Sequence, residues 1–160
     1  MTSLEVSTLA DTHAVAAAIA SLVRIGDVIV LAGEMGAGKT AFAQGFGVAL
    51  GVEEPITSPT FTLVHTYDTG RIVMHHADLY RLDTIGEVAD LGLLEMAERG
   101  VLLVEWGDAA ADELGDHLEV FLQVEHDDEN RRIIDVTPVG RSWDTRLAKL
   151  SSALQPWVMD

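Results

Sequence analysis

The sequence predicts a three-layer α/β domain with a mixed central sheet, parallel strands at its core and antiparallel hairpin strands toward its edges. Three observations carry that expectation. The run Val28-Ile29-Val30-Leu31-Ala32 enters a glycine-rich turn and then a helical stretch, as a buried strand feeding a helix does. Val101-Leu102-Leu103-Val104 is apolar without interruption, the mark of a strand covered on both faces. Two further pairs of strand-like segments flank turn residues: Phe61–Tyr67 with Arg71–His76, and Leu118–Glu125 with Arg132–Val139. With 160 residues, 48% of them hydrophobic, the chain reads as one domain over 1–160, large enough to close a core around one sheet.

In order, a short strand is expected around Glu5-Val6-Ser7, then a helix from about Asp11 to Arg24 with Val15, Ile19, Leu22 and Val23 near a helical period. Gly26-Asp27 turns the chain into the Val28 strand. The helix after the glycine-rich loop runs to Leu50 and stops at Gly51. Gly45 and Gly47 lie inside it, which implies close packing against the sheet. Pro55 and Pro59 bracket a loop ahead of the first hairpin, whose turn is Asp68-Thr69-Gly70. Helical stretches are expected over Ile85–Leu91 and Leu93–Arg99. The second hairpin turns around Asp127–Asn130, and a terminal helix runs from Trp143 to Leu154.

The loop itself, Gly33-Glu34-Met35-Gly36-Ala37-Gly38-Lys39-Thr40, is the G-x-x-x-x-G-K-T pattern of a phosphate-binding loop. Glycines let the backbone curl so that N–H groups converge on phosphate oxygens. The lysine reaches the β- and γ-phosphates, and the Thr40 hydroxyl ligates Mg²⁺. The following helix adds its N-terminal partial charge. A P-loop NTPase fold follows, with a nucleoside triphosphate and Mg²⁺ bound at the loop. Candidate nucleotide contacts are Gly33, Glu34, Met35, Gly36, Ala37, Gly38, Lys39, Thr40 and Ala41.

Composition narrows the partners. The net charge of −16, with Lys39 and Lys149 the only lysines, argues against unaided binding of RNA or DNA. Charges beyond about 8 Å are screened at physiological salt, so the loop still governs a bound triphosphate locally. No cysteine is present, which excludes disulfides, Fe–S clusters and thiol nucleophiles. No apolar run approaches a membrane span, and Met1–Glu5 lacks the regions of a secretory signal, so a cytoplasmic location is the expectation. The six histidines lack metal-ligand spacing.

A phosphate loop needs a second acid, usually at the end of a neighbouring buried strand, to hold Mg²⁺ or orient water. Glu105 ends Val101–Val104 and is the candidate beside the loop, sharing the metal with Thr40. Asp78 ends the more polar Val73–Ala77 and is the second catalytic candidate, on a different strand. Which of the two orients the attacking water stays open here. Thr60, in Ser58-Pro59-Thr60, is a candidate contact to Mg²⁺ or the γ-phosphate, where P-loop proteins often place a γ-phosphate-sensing segment, with a rigid proline turn entering a strand as the alternative. Arg81 and Arg131 are candidate phosphate or adenine-side contacts, with solvated surface as the alternative. Trp106 is a candidate contact to the base or a switch, with core packing as the alternative.

Taken together, Gly33–Thr40 with Ala41-Phe42-Ala43-Gln44-Gly45, then Ser58-Pro59-Thr60-Phe61-Thr62-Leu63-Val64, His76-Ala77-Asp78-Leu79-Tyr80-Arg81-Leu82 and Leu103-Val104-Glu105-Trp106, resemble the TsaE (YjeE) family over about residues 5–140. The resemblance implies a cytoplasmic, Mg²⁺-dependent ATPase required for threonylcarbamoyladenosine modification of tRNA beside the anticodon. It implies association with a TsaD–TsaB heterodimer, which the ATPase resets for turnover while the partners hold the tRNA. By the same resemblance Lys39 and Thr40 contact phosphate and Mg²⁺, Glu105 is the metal-side acid, and Thr60 lies in a switch loop. Arg131, with Arg132 beside it, falls where the family has an ATP-contacting arginine, and Thr8 or Leu9 near a base contact. A small-molecule kinase using the same loop is the alternative. It would require transfer of γ-phosphate to a metabolite, and the eight scattered arginines form no lid-like insertion. A nucleotide-dependent binding module is the third reading, separable by partner capture in ATP, ADP and nucleotide-free states.

Overall fold

A computed structural model describes residues 1–57, 59, 64–79, 92–106 and 113–160. The positions of Ser58, Thr60, Arg81 and the expected Ile85–Leu91 helix lie outside the described residues. Seven strands form one sheet in the order β1-β7-β6-β2-β5-β4-β3: β1 is Thr2–Val6, β2 Val28–Gly33, β3 Val64–Asp68, β4 Val73–Asp78, β5 Gly100–Glu105, β6 His117–Glu125 and β7 Asp128–Val139. Pairings of β2 with β5 and β6, and of β4 with β5, are parallel; β3, β7 and β1 attach antiparallel. The expected mixed sheet is therefore what forms.

Helices α1 (Leu9–Ala20), α2 (Lys39–Leu50) and α4 (Leu147–Leu154) cover one face; α3 (Leu93–Ala97) covers part of the other. The α1–α2 side buries Ile29, Leu31, Phe42, Phe46, Met74 and Leu103 in a single core. The α3 side buries Val28, Val30, Leu102 and Val104. Alternate residues of β2 and β5 thus feed both cores, which is why each reads as unbroken apolar sequence. Among the described residues no helix is long and apolar enough to cross a membrane.

Several boundaries differ from expectation for identifiable reasons. The first strand is Thr2–Val6, and α1 starts at Leu9, because Thr8 caps it: its hydroxyl accepts from the Asp11 N–H at 3.0 Å while the Asp11 carboxylate accepts from the Ser7 N–H at 3.1 Å. The helix ends at Ala20, ahead of Arg24. In the β6–β7 hairpin the second strand begins at Asp128 rather than Arg132. Its first turn of polar residues sits at a solvent-exposed strand end, so polarity marked strand and turn alike. Gly45 meets α1 rather than the sheet: a Cβ there would lie 2.6 Å from His13 Cα. Gly47 faces Ile56 and Met74 of β4. The expected terminal helix is a 3₁₀ turn, Asp144–Arg146, followed by α4 and a second turn at Gln155–Trp157.

That 3₁₀ turn places Arg146 in a buried bidentate pair with Asp27, at 2.6 and 2.9 Å, with the Leu22 and Ser142 carbonyls accepting one further N–H from each terminal nitrogen and the guanidinium carbon 3.9 Å from the centroid of the Trp143 ring. The pair ties the C-terminal segment to the turn that launches β2. Replacing Arg146 by methionine leaves Asp27 buried without its cation, and urea unfolding should show a loss of about 3 kcal/mol. Adding Asp27→Asn to the same chain should recover part of it.

Candidate functional site

The phosphate loop is built by backbone constraints at both ends. Gly33, the last residue of β2, has φ 138°, and a Cβ there would sit 2.3 Å from the Leu122 carbonyl oxygen of β6. Gly38 has φ 108° and is the N-cap of α2, so the helix starts in a conformation that side chains rarely adopt. Between them the Ala37 N–H donates to the Glu34 carbonyl at 3.1 Å, closing the loop on itself. Lys39 then begins α2 and folds back over the loop. Its Nζ donates to the Gly33 and Glu34 carbonyls, both at 2.8 Å, and lies 3.7 Å from the centroid of the Trp106 ring. The lysine is buried.

Trp106 holds that position through an unusual backbone. It has φ 62°, alone in the left-handed region among the described residues other than glycine, and its N–H donates to the Leu31 carbonyl of β2 at 2.9 Å. The strand β5 therefore breaks immediately after Glu105, turning the indole over the lysine.

The acids stand on adjacent strands. Asp78 ends β4 and Glu105 ends β5, paired in register across the parallel ladder. The Thr40 hydroxyl donates to Glu105 Oε1 at 3.4 Å, and His76 Nε2 lies 2.6 Å from Glu105 Oε2. Asp78, Glu105, Lys39, Thr40 and Trp106 line one open cavity of about 340 Å³, together with Met35, Gly36, Gly38 and Ala41. Its donors are one hydroxyl and two carboxylates. That all-oxygen set suits a hard divalent cation shared with phosphate oxygens, so the residues fit Mg²⁺.

A second cavity, of about 250 Å³, opens beyond the same loop. Gly38 and Ala41 are common to both. Ala37 of the loop, Ser7, Thr8, Leu9 and Thr12 at the start of α1, and Glu129, Asn130 and Arg132 at the start of β7 complete its wall.

The sequence matches the family model described as threonylcarbamoyl adenosine biosynthesis protein TsaE over residues 6–134. The chain belongs to the TsaE family. Relatives agree in extent as well as in identity. The tRNA threonylcarbamoyladenosine biosynthesis protein TsaE of Bacillus subtilis is 38% identical over 143 residues, covering 88% of each chain. The protein of the same name from Treponema pallidum is 41% identical over 108 residues, covering 67% of this chain and 79% of its own. The crystal structure of YdiB from Bacillus subtilis superposes with a TM-score of 0.77 at 28% identity, covering 94% of this chain and 93% of that one.

Within this TsaE fold the loop Gly33 to Ala41 stands beside Asp78, Glu105 and Trp106 at the first cavity; Thr60 lies outside the described residues. Gln44 Nε2 donates to the Ile56 carbonyl at 3.1 Å, tying α2 to the segment that leads toward Thr60. Thr8 and Leu9 line the second cavity. Arg131 does not: its guanidinium pairs with Glu5 of β1 at 2.6 Å, and the arginine at the cavity is Arg132. Neighbouring strand residues face opposite ways, so choosing between the two arginines needed the β1–β7 register. His76 also escaped the sequence reading. Its spacing two before Asp78, hence on the same strand face, was the available signal. On the opposite face of β4, burial lowers the His75 pKa below its ordinary value.

Proposed function

We propose that this chain binds ATP across the two cavities and hydrolyses it slowly in the first, serving threonylcarbamoyladenosine modification of tRNA beside the anticodon. The relatives' names support the pathway. The observation that carries the chemistry is the convergence of Thr40, Glu105 and Asp78 beside Lys39 at the N-terminus of α2. The triphosphate lies along the loop between β2 and α2, and the Lys39 ammonium exchanges carbonyl partners for phosphate oxygens. The adenine end occupies the cavity formed by Thr8, Leu9 and Arg132.

Thr40 and Glu105 would hold Mg²⁺, which would neutralise charge on the phosphate oxygens. Glu105, with one oxygen toward Thr40, is the metal-side acid. Asp78, at the same level on the next strand, orients the attacking water. Trp106 shields the lysine from solvent, which strengthens its field at the phosphates.

The acidic surface, net charge −16, suits a role in which a TsaD–TsaB complex in the cytoplasm holds the tRNA and this chain resets that complex. The decisive assay mixes the protein with TsaD, TsaB, tRNA and ATP and counts modifications per complex. Native protein should give many turnovers, and Lys39→Met protein should stop near one. A plateau near one with the native protein would remove the proposed role.

A further inference from the structure

We infer that His76 is a positioning residue for Glu105, anchoring one carboxylate oxygen so that the other faces Thr40 and the cation end of the cavity. The inference rests on the ATPase reading of this site and adds to it a residue with no role so far. His76 and Asp78 leave β4 on the same face, and the ladder sets His76 beside Leu103 and Asp78 beside Glu105 on β5. The imidazole reaches along that face to the neighbouring strand, where Nε2 and Glu105 Oε2 are 2.6 Å apart. The His76 side chain is fully buried and that of Glu105 is 3% exposed.

An ionised carboxylate only accepts hydrogen bonds, so this pairing requires the tautomer with its proton on Nε2. The other oxygen, Oε1, stands 3.4 Å from the Thr40 hydroxyl. Glu105 therefore has two distinct ends, one fixed in the core and one offered to the cavity. Without the anchor its three side-chain torsions would sample several rotamers, and ordering them would weaken every interaction Oε1 makes. Packing alone does not call for an imidazole here. A buried polar ring is costly where an aliphatic chain would fill the space, and His76 Nδ1 finds no hydrogen-bond partner among the described residues. The hydrogen bond to Glu105 is what the ring supplies.

The test compares ADP affinity in EDTA with ADP affinity in MgCl₂ by calorimetry for native, His76→Leu and His76→Gln proteins. Complexation of Mg²⁺ by ADP in solution is common to all three and cancels. The tightening by Mg²⁺ should fall about tenfold in His76→Leu, as for loss of a partner that orients a metal ligand, while affinity in EDTA stays near native. His76→Gln, whose amide can place an N–H near the Nε2 position, should recover most of the tightening. Should the leucine protein not fold, His76→Asn, with a shorter amide, takes its place. A purely structural histidine would lower both affinities together, and that result overturns the inference. So does native Mg²⁺ tightening in the leucine or asparagine protein, or glutamine performing no better than either. Native protein that binds no ADP overturns the ATPase reading itself, and this inference with it.

Discussion

Replacing Lys39 by methionine should weaken ADP and ATP binding about a thousandfold while leaving the chain folded. A unit charge about 4 Å from a phosphate oxygen in a partly buried site is worth about 4 kcal/mol, and each 1.4 kcal/mol is about a factor of ten. Methionine keeps the length and apolar stem of the lysine, so the packing under Trp106 survives. The free protein loses the hydrogen bonds to the Gly33 and Glu34 carbonyls, at 2.8 Å each, and the ammonium's contact with the Trp106 ring. Glu34 is solvent-exposed, and water can replace a donor at the mouth of the loop, so the cost to folding should be about 1 kcal/mol. Calorimetric titration and thermal melting separate the two effects. Binding within tenfold of native would mean that the loop amides alone carry the phosphates, and would take Lys39 out of the site.

The loop was legible in the sequence because its demands are local. Gly33 must approach the Leu122 backbone and Gly38 must start a helix with positive φ, and no other residue type meets either need. Glu105 was legible for a related reason: a carboxylate directly after Val101–Val104 can only emerge at the end of a buried strand. Residues whose roles depend on partners distant in sequence were harder to read. Arg131 and Arg132 differ only in which face of β7 they leave, and the pairing with β1 decides that. His76 looked like one of several scattered histidines until the β4–β5 ladder set it against Glu105. Gly45 was expected to clear space for the sheet, but the contact is a helix crossing with α1, which no periodicity within α2 reveals.

Changing Glu105 to glutamine should move two measurements in opposite directions. In the native chain Glu105 is buried, receives the His76 N–H on Oε2 and faces the Thr40 hydroxyl with Oε1. Glutamine preserves the shape. Its carbonyl oxygen can still accept from His76, which turns the amide nitrogen toward Thr40. An amide nitrogen carries no lone pair for a cation, and the negative charge is gone. Without metal, ADP should bind more tightly, because a buried anion no longer opposes the phosphates. With Mg²⁺ the additional tightening seen in the native protein should disappear. Turnover should fall about a thousandfold, the upper range for removing one electrostatic group from a transition state. Leucine at position 76 should reproduce a weaker form of the metal defect without the metal-free gain, because it frees the carboxylate but does not discharge it. If Mg²⁺ still tightens ADP binding to Glu105→Gln as it does for native protein, the metal-side acid is not Glu105. The assignment then passes to Asp78, which shares the cavity one strand over.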